Sequence, residues 1–122
     1  MRARPRFYRL EGRFAVPSSL DQFAQDAMTP KSWAVSHTRV GRTRVSTVFL
    51  GLDCRPAMQE GDPLTFETMI FGGPHHLSQY RYETWAEAEA GHDRIVAALR
   101  LARAEALDVI LAARREARAC ST

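Results

Sequence analysis

The feature that most constrains this fold is the C-terminal third of the sequence, where residues 85–119 contain neither a proline nor a cluster of turn residues. Thr84 and Glu87 have the spacing of a capping box, which favours a helix that begins here. Apolar side chains recur every three to four residues and form one stripe: Ile95, Val96, Leu99, Ala102, Ala106, Leu107, Ile110, Leu111 and Ala113. This period predicts one long amphipathic helix.

The predicted helix is too long for one small sheet to cover. About 35 residues extend roughly 50 Å, whereas strands of five to eight residues span about 17–27 Å. The helix therefore either breaks, with Gly91 and the Arg114-Arg115 pair as candidate positions, or presents its distal half to another chain. We expect the second outcome. The residues predicted to bind a protein partner are Leu107, Ile110, Leu111 and Arg114.

Residues 33–85 have the pattern of a small antiparallel sheet. The β-prone runs are residues 33–39, 44–52, 64–71 and 79–83. Turn residues separate them: Gly41, a loop at 53–63 that contains proline and glycine, and the run from Gly72 to His76. Because such short connections need no crossover helix, we expect a four-stranded meander.

A second capping-box spacing occurs near the N-terminus. Ser19 and Gln22 predict a short helix at residues 20–27, with Leu20, Phe23 and Ala27 on the face that docks on the sheet. Before it, the residues around Glu11-Gly12 indicate a short strand pair, although neither run has a clear period.

The pattern is therefore that of an α+β domain: an antiparallel sheet of about four strands, a short N-terminal helix and one long C-terminal helix. We divide the chain into a basic N-terminal arm at 1–16, a core domain at 17–100 and an extension of the helix at 101–122. No apolar run approaches the roughly 18 residues of a membrane span, so we expect no membrane contact and a location in the cytoplasm. Only two cysteines occur, and both are predicted to be free thiols.

Positive and negative charges are segregated along the chain although the net charge is only +3. Eight acidic residues and two arginines lie in residues 53–93. We expect the acids of the 53–63 loop to lie beside the distal half of the long helix and to share its protein partner. These acids are Asp53, Glu60 and Asp62.

Arginines dominate the N-terminal arm and the predicted hairpin, with Phe7, Tyr8 and Trp33 interleaved. Charges for phosphates and rings for bases are the components of a nucleic-acid surface, which is the alternative function. Its predicted residues are Arg2, Arg4, Arg6, Arg9, Arg42 and Arg44. The acidic segment would repel a polyanion, so we rank this function below protein binding.

The sequence contains residue types that bind metals or carry nucleophilic catalysis. His75, His76 and His92 match no standard metal-ligand spacing, and adjacent histidines of an extended backbone point to opposite sides. Cys54 beside Arg55 could be a thiolate, but a reactive cysteine also needs a base in space. We therefore predict no enzymatic activity, no cofactor and no metal site.

Three blocks of sequence resemble a widespread group of small uncharacterised proteins encoded by bacteriophages and prophages. The blocks are VSTVFLGLD at 45–53, FETMIFGG at 66–73, and YETW with EAEAGH at 82–92. The resemblance covers roughly residues 33–100 and implies a mobile-element origin, but the group has no established activity to carry over. The arginine-rich arm and the tail after Arg100 differ from the sequences that are usual in this group.

These observations together predict a non-enzymatic phage or prophage accessory protein that acts by binding another protein. Inhibition of a bacterial defence system, for example an anti-CRISPR role, is the leading candidate, because small phage domains without catalytic residues often act by occlusion. The partner is a second copy, a host protein or both, and a homodimer is the expected state.

Overall fold

The computed structural model describes residues 4–29 and 33–120, the last four of them by backbone alone. In chain order the elements are β1 (Tyr8–Glu11), β2 (Phe14–Pro17), α1 (Leu20–Asp26), β3 (Ala34–Val40), β4 (Thr43–Phe49), β5 (Phe66–Phe71), β6 (Gln79–Tyr82) and α2 (Trp85–Cys120). The predicted α+β fold is confirmed. Strands β1 and β2 form a separate two-stranded sheet.

Strands β3 to β6 form one antiparallel sheet in sequence order, which is the predicted meander. Side chains alternate between its faces, and Val45, Thr47 and Phe49 of β4 are fully buried beneath α2. Strand β4 ends at Phe49 rather than at the predicted residue 52. Gly51 has a φ of +72°, and this left-handed conformation turns the chain out of the strand.

The first half of α2 packs across the sheet and encloses two adjoining groups of buried side chains. The first group is Tyr8, Phe49, Phe66 and Ala88. The second is Val40, Val45 and Val96, with Ile95 and Leu99 packed at its border. The apolar stripe predicted from the sequence therefore faces the sheet in this half of the helix.

The β1–β2 hairpin is attached to the end of β4. The amide of Tyr8 donates to the carbonyl of Gly51 at 2.9 Å, and Phe7 forms an antiparallel bridge with Leu52. A row of aromatic rings continues this attachment through the molecule, with neighbouring ring centroids 5.2–6.2 Å apart. The row is Phe7, Phe23, Trp33, Phe49, Phe66 and Trp85.

Helix α1 begins where the capping-box spacing predicts, because the side chain of Ser19 accepts a hydrogen bond from the amide of Gln22 at 3.1 Å. Phe23 docks the helix, with its ring against Phe7 and Trp33. Leu20 and Ala27 were expected to share this contact, but Leu20 is 59% exposed and Ala27 is the exposed C-cap residue. Only Phe23 of this short helix reaches the aromatic row.

Helix α2 has a variant of the predicted capping box, in which the Glu87 carboxylate bonds the residue before the cap rather than Thr84 itself. The amide of Glu87 donates to Thr84 Oγ1 at 3.1 Å, and the carboxylate of Glu87 accepts from the amide of Glu83 at 3.2 Å. The helix then continues through Gly91 and Arg114 without a break. Gly91 serves packing, because a Cβ at this position would overlap the ring of Tyr82.

In the part of the chain that the structure describes, α2 included, no helix combines the length and apolarity needed to cross a membrane.

Candidate functional site

The second half of α2 extends beyond the sheet. Every residue from 101 to 116 is exposed, and we call residues 101–120 the distal helix. Near its start, the Arg103 side chain lies against the β3–β4 turn, where a Cβ on Gly41 would be 2.9 Å from Arg103 Nε. This turn marks the edge of the sheet along the helix.

The distal helix carries an apolar patch on the face that packs on the sheet in the first half. Leu107, Ile110 and Leu111 are 46–49% exposed. At 3.6 residues per turn, Leu107 and Arg114 follow Val96 by about three and five turns, almost on one line. The structure therefore brings the four predicted partner-binding residues of the helix together on one face.

Two other large apolar residues lie on the opposite face of the distal helix. Leu101 and Val109 are 62% and 69% exposed, and helical geometry places them roughly 140° around the axis from Val96. They provide matched controls for the apolar patch.

The acidic loop does not lie beside the distal helix, contrary to the prediction. The loop follows the C-terminal end of β4, and Arg55 from this loop binds Glu83, just before α2, at 2.6 Å. Leu107 follows the start of the helix by roughly 30 Å. The loop acids Asp53, Glu60 and Asp62 thus belong to the other end of the molecule.

Asp53 organises this loop rather than presenting a free carboxylate. Its Oδ2 lies 2.8 Å from Arg4 Nε, and its Oδ1 accepts from the amides of Arg55 and Leu64. The Asp53 side chain is only 5% exposed. Arg4 also donates to the carbonyl of Gln59 at 2.7 Å, so this arginine of the arm is a structural residue.

The basic arm and the basic hairpin do not form one continuous surface. Arg2 lies outside the described residues, and Arg9 pairs with Glu11 at 2.7 Å. Arg6 lies next to the bridge that attaches the arm at the C-terminal end of β4. Arg42 and Arg44 lie at the opposite end of that strand.

The β3–β4 hairpin nevertheless has an uncompensated basic surface. Arg39 and Arg44 are directly opposite across the two strands, an arrangement that destabilises a sheet when no anion separates the charges. The Arg44 guanidinium lies 5.2 Å from the centre of the Phe71 ring. None of the five ion pairs within the described residues involves Arg39, Arg42 or Arg44. The Arg103 side chain lies against the same turn. The sequence did not predict this contact, because Arg103 is far from the turn along the chain.

The histidines lie apart. His75 and His76 belong to the β5–β6 turn, where His76 Nδ1 accepts from the amide of Gly72 at 2.8 Å. His92 lies in α2 on the face that packs against the sheet and is 1% exposed. Among the described side chains, those of residues 4–29 and 33–116, no three histidine, cysteine or carboxylate groups converge in a way that could hold a metal ion.

His92 belongs to a buried hydrogen-bonded network between α2 and the sheet. Its Nδ1 lies 2.7 Å from Thr47 Oγ1, and its Nε2 lies 2.8 Å from Thr38 Oγ1. Thr68 extends the network through the Thr47 hydroxyl. Burial lowers the pKa of His92 below its ordinary value, partly opposed by the charge of Asp93. Folding therefore favours the neutral ring.

Cys54 is held as a thiol. Burial raises its pKa, the charge of Arg81 opposes this shift, and Glu67 reinforces it. The guanidinium of Arg55 binds Glu83 and the carbonyl of Asp62. These contacts give no support to the thiolate that the Cys54-Arg55 sequence suggested.

Comparison of the chain with protein families, with curated proteins and with solved structures found no match.

Proposed function

We propose that this protein is a non-enzymatic protein-binding module that docks through its distal helix. The observation that supports the proposal is a capped, continuous helix whose core-facing apolar stripe continues where every residue from 101 to 116 is exposed. An amphipathic helix that places its apolar face against another chain is a recurring mode of recognition.

The apolar patch has the energetics of a small hot spot rather than of a whole interface. Fully burying an aliphatic side chain stabilises by about 1.5–3 kcal/mol, and Leu107, Ile110 and Leu111 are already about half buried. Their docking would contribute roughly 2–4 kcal/mol in total. The flanking arginines and alanines would supply the remaining contact area and the orientation.

Charges favour a second copy as the partner. In an antiparallel pair of helices with Leu111 opposite its copy, Asp108 faces Arg114 of the second copy, and the symmetry repeats this contact. Neither residue takes part in an ion pair within the described residues. A register centred between Leu107 and Ile110 would instead place Arg103 opposite Arg114 of the second copy, and these two positive charges repel each other.

The resemblance to phage proteins adds a biological setting to this proposal. We propose a phage or prophage accessory role in which the protein occludes a component of a bacterial defence system, an anti-CRISPR role being one example. A homodimer would present two copies of every other surface to that component.

Light scattering and partner capture test the apolar patch. The variant L107D/I110D should be monomeric and should lose any captured protein, because charges on the patch oppose its burial. The control L101D/V109D carries the same charges on the opposite face and should retain both properties. At protein concentrations low enough for the wild type to be monomeric, both variants should unfold at the wild-type temperature. Unchanged mass and unchanged capture for L107D/I110D would exclude the proposal.

A charge reversal tests the self-pairing separately. D108R and R114D should each weaken the dimer, and the double variant D108R/R114D should restore it, because the pair is re-formed with the signs exchanged. If L107D/I110D is monomeric but D108R/R114D does not restore the dimer, this register is rejected and the docking surface is retained. A wild-type monomer that captures a host protein would assign the patch to that protein.

The basic hairpin supports a second candidate function, the binding of single-stranded nucleic acid. The observation that favours it is the opposed Arg39 and Arg44 pair beside the Phe71 ring. Affinity for a single-stranded oligonucleotide should fall steeply with salt and should decrease in R42A/R44A. R9A, at the far end of the molecule, is the control. Insensitivity to salt and to R42A/R44A would remove this candidate.

A further inference from the structure

The loop between β4 and β5 encloses the guanidinium of Arg4. The Arg4 Nη1 atom donates hydrogen bonds at 2.7 and 3.3 Å, and Nη2 donates two at 3.2 Å. The Nε atom lies 2.8 Å from Asp53 Oδ2. The four hydrogen bonds end on main-chain carbonyl groups, those of Arg55, Pro56, Gln59 and Gly61. We call these four carbonyls and the Asp53 carboxylate the arginine cage.

The cage is held in place by contacts that do not involve Arg4. Asp53 Oδ1 accepts from the amide of Arg55 at 2.9 Å, which leaves Oδ2 for the cage. The side chain of Arg55 donates to the carbonyl of Asp62 at 2.8 Å and binds Glu83, just before α2, at 2.6 Å. These contacts fasten the loop to the core independently of the arm, so the acceptors are preorganised for a guanidinium.

The arrangement of acceptors selects a guanidinium over other cations. A guanidinium carries its donors on three nitrogens in one plane, and the cage places an acceptor at each nitrogen. An ammonium group carries all three donors on one nitrogen and cannot reach the same set. Glu60 and Asp62 of the same loop are exposed, and neither takes part in an ion pair among the described residues. Their charges attract a basic partner.

Arg4 reaches the cage from a different segment of the chain. Residues 4–6 precede β1 and belong to no strand, and Pro5 and Arg6 are exposed. A cavity of about 590 Å³ lies between these residues and the loop, with Glu60 on the loop side. The side chain of Arg4 is itself 26% exposed. The cage is therefore accessible from solvent on the side of the arm.

We propose that the arginine cage is a receptor for an arginine side chain of a partner protein, and that Arg4 occupies it as a competitor within the chain. The contacts of Arg4 define how the incoming side chain is bound, with its planar fork against the carbonyls and its Nε at Asp53. Because the chain keeps Arg4 close to the cage at a high effective concentration, a partner binds only by displacing it. The site lies at the opposite end of α2 from the distal helix and is independent of the proposed function.

The full-length variant R4A empties the cage and tests its choice of ligand. Propylguanidine should raise the unfolding temperature of R4A with a saturable dependence on concentration, because a ligand of the folded state stabilises it. Propylamine has the same charge and chain length and should need a concentration at least about five-fold higher. Neither compound should stabilise the wild type, because Arg4 fills the cage. If R4A alone does not fold, propylguanidine should restore its folding and propylamine should not.

Two further variants test whether the cage itself binds the probe. D53N keeps the shape of the side chain but removes the charge, so R4A/D53N should bind propylguanidine at least about ten-fold more weakly than R4A. E60Q removes an exposed charge of the same loop without touching the four carbonyls. R4A/E60Q is therefore the control and should change the affinity less than about two-fold.

A pair of capped peptides tests the assignment to a partner protein. The peptides are acetyl-Gly-Ala-Arg-Ala-Gly-amide and its lysine counterpart, and NMR titration measures their affinities. The arginine peptide should bind R4A at least about ten-fold more tightly than it binds the wild type, because the internal competitor is absent. The lysine peptide should bind R4A about five-fold more weakly than the arginine peptide does.

Four results would overturn the proposal. The first is that propylguanidine fails to stabilise R4A or acts no better than propylamine. The second is that D53N and E60Q cause equal losses in the R4A background, which would reduce the site to a general attraction of charge. The third is an equal affinity of the arginine peptide for R4A and wild type, which would place the peptide outside the cage. The fourth is stabilisation by propylguanidine without binding of the arginine peptide, which would show that the cage serves Arg4 alone.

Discussion

The two halves of α2 have the same apolar period in sequence but different surroundings in the structure. In the first half, Val96 is 5% exposed and packs with Val40 and Val45 of the sheet. In the distal helix, Ile110 is 46% exposed on nearly the same line of the helix. The comparison teaches that an amphipathic pattern specifies which face is apolar, whereas the length of the neighbouring strands decides how much of that face is covered.

The largest expected difference between the halves comes from placing a charge in each. V96D should destabilise the protein by more than about 4 kcal/mol, because it buries an unpaired carboxylate. I110D should change the unfolding free energy of the monomer by less than about 0.5 kcal/mol. Urea unfolding at low protein concentration measures both. Similar losses in the two variants would show that the distal helix is part of the folding core.

A smaller effect is expected where Tyr82 packs on Gly91. An exposed helical glycine gains roughly 0.5–1 kcal/mol when replaced by alanine. G91A should instead destabilise by about 1–3 kcal/mol, because its Cβ overlaps the Tyr82 ring. In the background of Y82A, the same replacement should be neutral or favourable. A stabilising effect of G91A alone would show that the ring moves freely.

The pH dependence of the unfolding free energy is a further expected difference between the two halves of α2, because His92 lies in the first half. The pKa of His92 is lowered in the folded state, so the unfolded chain binds more protons and stability falls as pH drops through the unfolded value near 6.5. The slope can reach about 1.4 kcal/mol per pH unit for one group. Unfolding measured between pH 7.5 and pH 5 should show this loss, and H92Q should reduce it. An identical slope in H92Q would assign the effect to other groups.

The smallest effect is expected from glycine in the distal helix. A104G should lower the helix signal in circular dichroism slightly and shift the unfolding free energy of the core by less than about 0.5 kcal/mol. A88G should cost about 1 kcal/mol or more, because Ala88 is completely buried against the sheet. Equal costs would contradict the independence of the distal helix.

Local patterns in the sequence were sufficient for the elements and the topology. Both capping boxes, at Ser19 and Thr84, predicted helix starts that the structure confirms. Short turn-rich connections predicted the meander because few topologies satisfy them. These features depend on residues close in sequence.

Contacts between distant residues could not be predicted in the same way. Asp53 was predicted to face a protein partner, but it pairs with Arg4, which lies 49 residues earlier in the chain and is brought near by the attachment of β1. His92 likewise has its hydroxyl partners, Thr38 and Thr47, on two strands. The position of the acidic loop relative to the distal helix depends on the direction of the strands and on the direction in which α2 crosses them. The sequence pattern specifies neither direction.

The unbroken course of α2 has a mechanical consequence. Its 36 residues form a rod of about 54 Å that the sheet holds at one end only. The direction of the free end is therefore set by the packing of Val96 and Leu99 on the sheet. A tilt of about 5° at the sheet would displace the end of a free segment of roughly 24 Å by about 2 Å. A partner bound at Ile110 therefore exerts a torque on the sheet. A change in the packing of Val96 and Leu99 would change the direction in which the distal helix presents that partner.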